Sequence, residues 1–183
     1  MDDKHVPVLI VGAGAAGLAT SALLAKHGVR SLLVEKRSEV FIYPKARNLS
    51  FRSLEILRGL GLADEVHAIA EGVSDMLSKP TLNSAEEHQA FDVEAIFSPF
   101  KDLSPEPGGQ YCPQSAFEPI LLAHVRRHGS QVRYKTELGS FEQDESGVTR
   151  SYAIGSRAQR RRYAPTILWP PTACTARSAP RLA

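Results

Sequence analysis

The feature that most constrains this chain is Val8-Leu-Ile-Val-Gly12-Ala-Gly14-Ala-Ala-Gly17-Leu-Ala, where four apolar β-formers run into three glycines spaced G-x-G-x-x-G. An alanine- and leucine-rich stretch follows, ending at Lys26-His27-Gly28. The pattern predicts a strand, a tight turn and a helix. Gly12 makes the turn out of the strand, Gly14 lets a pyrophosphate approach the backbone without meeting a Cβ, and Gly17 lets the helix pack closely on the sheet. The helix start at Ala15 and Ala16 then offers N–H groups and a partial positive charge to phosphates.

A second apolar run, Ser31-Leu-Leu-Val34, ends in Glu35, at the distance from the glycines where a dinucleotide fingerprint carries its acid. A carboxylate there accepts hydrogen bonds from the hydroxyls of an adenosine ribose. It repels a 2′-phosphate, so FAD or NAD is favoured over NADP at this site.

The length of 183 residues fits one domain with a core of its own, and 43% apolar with 23% charged residues matches a water-soluble globular chain. No apolar run approaches the roughly 20 residues of a membrane span. Met1-Asp-Asp-Lys has neither the basic region nor the apolar core of a signal peptide, which points to the cytoplasm. Cys112 and Cys174 lie far apart without C-x-x-C partners, so neither a disulfide framework nor a zinc site is indicated. The formal net charge of +2 averages two unlike regions. Residues 150–183 hold seven arginines, no lysine and no acid, which leaves 15 basic against 20 acidic side chains in residues 1–149.

Beyond Glu35 come the polar Lys36-Arg37-Ser38-Glu39 and then Phe41-Ile-Tyr43-Pro44-Lys45-Ala46-Arg47-Asn48-Leu49-Ser50, which Pro44 keeps out of a helix. Ser50 can cap a helix over 52–60, with Leu54, Ile56, Leu57 and Leu60 as its apolar face and Gly61 as its stop. A short helix over 63–70 should follow.

These residues together resemble a known family. Gly12-x-Gly14-x-x-Gly17, Glu35-Lys36, and Pro44-Lys-Ala-Arg47 leading into Ser53-Leu-Glu-Ile-Leu-Arg-Gly-Leu-Gly-Leu62 look like the class A flavin-dependent monooxygenases. Within these para-hydroxybenzoate-hydroxylase-like enzymes, the chain is most similar to the polyketide- and phenol-hydroxylating branch. The resemblance implies that Arg47 sits beside the flavin and its phosphates; the alternative is a solvated loop arginine.

Residues 71–111 alternate weakly and carry turn residues, which predicts short antiparallel strands and loops where the family inserts part of its substrate-binding sheet. Cys112-Pro-Gln114-Ser-Ala-Phe-Glu118-Pro-Ile-Leu-Leu-Ala-His124-Val-Arg-Arg-His128-Gly129 reads as a helix. Leu121, Leu122 and Val125 form its inner face, basic residues fill its last turn and Gly129 ends it. The resemblance assigns Gln114 to the cofactor's ribityl and phosphate region; alternatively Gln114 caps the helix. Cys112 stands where relatives usually have an apolar residue. His124 and His128 have the i, i+4 spacing of metal-ligand pairs, but no third ligand joins them, so they read as ordinary helix-end histidines. Strands are expected over 131–134 and 137–143, with a turn over 144–147 and a partner strand opening at Val148-Thr149.

In the family that strand continues, another follows, and the chain re-enters the flavin site through Ala-Asp-Gly. From Arg150 this sequence shows no strand alternation and no helical face. A basic tail for nucleic acid or an anionic membrane, plain disorder, and a reading-frame change near Thr149 each fit. The last is preferred. Shifted by one base, Trp169 with Pro170 must give alanine, and the frame continued both ways can read VRADYLVAADGVHSPVR, which looks like the missing segment.

The expected fold class is α/β, a Rossmann-like FAD-binding βαβ domain with part of a small β-sheet substrate domain, incomplete. Residues 1–149 would form the partial FAD-binding domain and 150–183 a non-family basic tail. The family binds FAD, reduces it with NADPH and uses oxygen to hydroxylate electron-rich aromatic or polyketide substrates. The expected cofactor-binding residues are Gly12, Gly14, Ala15, Ala16, Gly17, Glu35, Lys36, Arg47 and Gln114, with no catalytic acid or base and no metal ligand named. Without its Asp-Gly segment the chain is expected to be inactive in hydroxylation by itself. No nucleic acid is expected as a partner. A non-catalytic dinucleotide-binding module with a partner-binding basic tail is the alternative; an NAD-dependent dehydrogenase fits the fingerprint but leaves the Arg47 and Gln114 segments unexplained.

Overall fold

A computed structural model describes residues 6–40, 42–43, 45–72, 76–107, 110–144, 147–154, 157–159 and 167–169. In chain order its elements are β1 (Val8–Val11), α1 (Ala15–Lys26), β2 (Ser31–Val34), β3 (Asn48–Leu49), α2 (Phe51–Gly59), α3 (Ala63–His67), β4 (Glu71–Gly72), β5 (Met76–Ser78) and β6 (His88–Phe91). Then come α4 (Val93–Phe97), a 3₁₀ turn (Ser98–Phe100), β7 (Gln110–Tyr111), α5 (Gln114–Arg127), β8 (Gln131–Arg133), β9 (Thr136–Asp144), β10 (Gly147–Ile154), β11 (Arg157–Gln159) and β12 (Ile167–Trp169). The chain divides into two units, residues 1–42 with 121–183, and residues 43–120.

The first unit is built on a parallel sheet in the order β12-β1-β2-β8. β1 and residues Leu32 to Val34 of β2 are apolar throughout because a parallel strand in this fold is covered on both faces. Leu9, Ile10, Leu32, Leu33 and Val34 are accordingly at most 1% exposed, each side chain contributing roughly 1.5–3 kcal/mol by burial. Leu9, Leu32 and Val34 pack together, joined by Val6, Val11 and Leu138. α1 buries Gly17, Leu18, Ser21 and Ala22. The Ser21 hydroxyl meets that of Ser31 at 2.8 Å, and Ser31 donates on to Ser130 at 3.4 Å, so three buried hydroxyls satisfy one another. β9, β10 and β11 form an antiparallel sheet, with a register shift between Ser151 and Tyr152.

The second unit holds the antiparallel sheet β3-β7-β4 and the pair β5-β6. Ser50 caps α2 as expected, its side-chain oxygen accepting from the Ser53 N–H at 3.2 Å. Leu54, Leu57 and Leu60 are buried, whereas Ile56 of the expected apolar face is only half-buried. Glu106 is 4% exposed and joins two helices, accepting from Arg58 Nε on α2 and lying 2.9 Å from His67 Nε2 on α3. This carboxylate holds the Arg58 guanidinium above its ordinary pKa.

Three expectations shift. The helix over 63–70 is shorter, ending at His67. The 71–111 region contains a helix besides its strands: Asp92 Oδ1 accepts from the Ala95 N–H at 2.9 Å and starts α4, and the chain tightens into the 3₁₀ turn at Pro99. Past Arg150 the backbone continues as a strand to Ile154, pairs with β11, and later runs parallel to β1 at 167–169. The ladder that β9 offers sets this course where side-chain alternation gave no signal. Pro44, Gly108, Gly109, Glu145, Ser146 and the rest of the basic tail, Cys174 included, lie outside the described residues.

Candidate functional site

The fingerprint loop belongs to the first unit. Gly12 has φ +100°, a conformation open to glycine, and its N–H donates to Val34 O at 2.8 Å as the chain leaves the sheet. Gly14 is the N-cap of α1, with extended backbone; no side chain caps the helix and no acid stands in its first turn. A helix start with no acid in its first turn favours an anion. Ala15, Ala16 and Gly17 open that first turn. A Cβ on Gly17 would run into the Gly12 carbonyl oxygen, with Ile10 Cγ2 of β1 next at 3.4 Å. Gly17 thus keeps the helix close to the glycine turn as much as to the sheet.

Glu35 is 7% exposed at the end of β2. Its Oε2 accepts from the Ala13 N–H at 2.9 Å and its Oε1 from the Arg37 N–H at 2.9 Å, with the Arg37 guanidinium 3.9 Å away. Its backbone is fixed too, since the Glu35 N–H donates to Arg133 O at 2.8 Å and Glu35 O accepts from Thr136 at 2.9 Å. Glu35 therefore ties the glycine loop to the strand ends before any ligand arrives. A carboxylate offers about four acceptor positions, so capacity remains for ribose hydroxyls. Lys36 is exposed immediately beyond.

The second unit brings Arg47 and Gln114 together through the backbone. Gln114 N–H donates to Ala46 O at 3.0 Å and Cys112 N–H to Arg47 O at 2.7 Å. β3 and β7 continue the contact with Asn48 opposite Tyr111 and Leu49 opposite Gln110. The exposed Arg47 guanidinium lies 5.3 Å from the centroid of the Tyr111 ring, within cation–π range. Gln114 opens α5, and its side-chain Nε2 donates to Glu118 Oε1 one turn later, so its amide is engaged with a carboxylate. Cys112 is buried, which raises the pKa of its thiol.

Tyr111 and Glu118 were not among the expected site residues. Glu118 had a signal: it lies on the stripe of Leu121 and Val125, so helical spacing buries it. Tyr111 had none, because its partner is a non-local strand. The His124 and His128 rings stack at 4.1 Å, and His128 Nδ1 is 2.9 Å from His124 O. Among the described residues no group of three or more His, Cys, Asp or Glu is placed to hold a metal ion, and no helix is long and apolar enough to cross a membrane.

The family described as "FAD binding domain" matches residues 5–164, past the composition break at about residue 150. The chain is 38% identical over 156 residues to aklavinone 12-hydroxylase RdmE of Streptomyces purpurascens, covering 81% of this chain and 29% of that protein. Among solved structures, the flavin-dependent monooxygenase PieE in complex with FAD and substrate superposes with a TM-score of 0.81 at 32% identity, over 92% of this chain and 30% of that one. A ternary complex of aklavinone-11 hydroxylase with FAD and aklavinone gives a TM-score of 0.78 at 34% identity, over 92% and 33%. The chain spans about 30% of the length of these relatives. The glycine turn whose packing excludes a side chain and the buried Glu35 beside it are compatible with FAD, and with these matches the chain belongs to the FAD-binding domain family of the class A flavin-dependent monooxygenases.

Proposed function

We propose that this chain is the FAD-binding portion of an NAD(P)H-dependent monooxygenase that hydroxylates an aromatic or polyketide substrate in the cytoplasm, and that the 183-residue chain alone does not hydroxylate. The observation that carries the FAD assignment is Glu35, anchored on Ala13 and Arg37 beside the glycine turn. In this reading Gly12, Gly14, Ala15, Ala16 and Gly17 receive the pyrophosphate, Glu35 takes the ribose hydroxyls, and Lys36 borders the adenosine. By family resemblance Arg47 and Gln114 serve the flavin side. FAD, when bound, supplies the redox and oxygen chemistry, while the protein binds and orients it.

The arginine-rich, lysine-free tail and the shifted codons around Trp169 support a reading-frame change near Thr149. Resequencing the gene through that codon tests it: one base that restores an open frame through Ala-Asp-Gly is expected, and an unaltered frame contradicts it. For the function, the purified chain is titrated with FAD and then given NADPH in air. Saturable one-to-one FAD binding is expected, with slow NADPH oxidation that releases peroxide. A folded chain with no saturable FAD binding contradicts the FAD reading, and hydroxylated product contradicts the inactivity.

A further inference from the structure

We propose that residues 97–106 form a strap that opens from α2 as a unit of its own, with the buried Glu106 carboxylate as its latch. All the residues involved lie in the second unit. α2 uses two faces. Leu54 and Leu57 are buried on one, while Phe51, Glu55 and Arg58, at i, i+4 and i+7, line another. The strap meets that second face in the order of the sequence. The Phe97 and Phe100 rings lie with their centroids 5.5 and 5.7 Å from that of Phe51. The Ser104 hydroxyl then bonds to the Glu55 carboxylate, and Glu106 accepts from Arg58 Nε. Ser104 Oγ also accepts from the Glu106 N–H at 3.3 Å, which joins these two anchors. Glu106 reaches on to α3, 2.9 Å from His67 Nε2.

A segment laid along the outer face of a helix buries little apolar surface of its own. Phe100 is 45% exposed and Leu103 75%, and Phe97 is only half-buried. Apolar burial therefore holds the strap weakly, and its opening should cost less than unfolding the unit. Glu106 is the exception. Its side chain is wholly buried, whereas those of Arg58 and His67 remain 50% and 26% exposed. A buried carboxylate is stable only when its charge and its acceptors are answered. With the strap down, Arg58 and His67 answer one oxygen each; with it lifted, water does. Closure thus depends on one charged contact more than on a packed surface.

The pairing of β3 with β7 lies outside this device. Cys112 N–H donates to Arg47 O at 2.7 Å and Gln114 N–H to Ala46 O at 3.0 Å, and these bonds stay when the strap lifts.

Hydrogen exchange of the 183-residue chain, resolved to single amides by NMR, tests the proposal. The strap reporters are the Lys101, Leu103 and Ser104 N–H groups, which donate to Ser98 O, Phe100 O and Phe100 O. A lifted strap this short cannot hold such turns in water. The references are the N–H groups of Leu54, on Ser50 O, and of Cys112 and Gln114. In the parent, strap exchange should be nearly independent of low urea, because a local opening exposes little surface, while reference exchange climbs with urea. Glu106→Gln, which keeps the shape and removes the charge, should speed the strap amides roughly tenfold or more and leave the references within about twofold. Phe100→Ala should act in the same direction and less strongly. Strap amides that follow the urea dependence of the references, that do not respond to Glu106→Gln, or that speed up no more than the references do, overturn the proposal. Should Glu106→Gln fail to fold, the urea dependence of the parent decides alone.

Discussion

The two units hold their functional side chains by opposite means. In the first, everything from Val8 to Glu35 is local: strand, glycine turn, helix and second strand succeed one another, and Glu35 closes the loop onto Ala13. In the second, Arg47 and Gln114 meet only because residues 46–49 pair with residues 110–114 across a long stretch of chain. The local device tolerates almost no substitution, since its geometry is fixed by backbone sterics. The non-local one is a set of modest polar contacts and should fail by degrees.

The largest effect expected is at Gly17. Gly17→Ala puts a Cβ into the Gly12 carbonyl and should cost about 2–3 kcal/mol in urea unfolding, with FAD binding no longer detectable by fluorescence. Normal folding and binding of this variant would remove the steric basis of the comparison. Glu35→Ala comes next: it leaves the Ala13 and Arg37 N–H groups without their carboxylate. Destabilisation of about 1.5–3 kcal/mol is expected, with FAD affinity lower by about two orders of magnitude. Glu35→Gln, which keeps one acceptor oxygen, should fall between.

In the second unit, Tyr111→Leu removes the ring beneath Arg47 and should weaken FAD binding by roughly fivefold, while Tyr111→Phe keeps the ring and changes little. A Phe variant as weak as the Leu variant would show that the ring face is not what matters.

The smallest effect is at Cys112. Burial lifts its thiol pKa in the folded state above the usual 9.0, so the folded chain holds a proton that the unfolded chain gives up. Stability from this source is complete below the ordinary thiol value and is lost as pH rises past it. Urea midpoints should decline above pH 9 in the parent and less in Cys112→Ala. Mass mapping should find Cys112 slow to alkylate until urea is added; rapid alkylation of the native chain would contradict its burial.

The stretch from Val8 to Glu35 was legible because its information is local. The G-x-G-x-x-G spacing, the apolar run of β2 and the acid at its end each dictate a backbone geometry without reference to distant residues. The anchoring of Glu35 by Ala13 and Arg37 was not legible, since a motif names the acid but not its backbone donors. In the second unit, Arg47 and Gln114 entered only through family resemblance, because two-residue strands such as β3 and β7 carry no periodicity. α4 escaped notice because five residues are too few for a helical face, and its start depends on the Asp92 side chain. The strands past Arg150 escaped because their pairing partners, β9 and β1, supply the order.

In the proposed reading the glycine turn and Glu35 take the adenosine and pyrophosphate of FAD, and Arg47 and Gln114 serve the flavin side by family resemblance. Calorimetric titration of the parent, Gly17→Ala and Gln114→Ala with ADP and with FAD tests it most directly. The account predicts that Gly17→Ala loses both ligands, and that Gln114→Ala weakens FAD while leaving ADP nearly unchanged. If ADP binds Gly17→Ala as it binds the parent, or if Gln114→Ala weakens ADP and FAD equally, the division of labour is wrong.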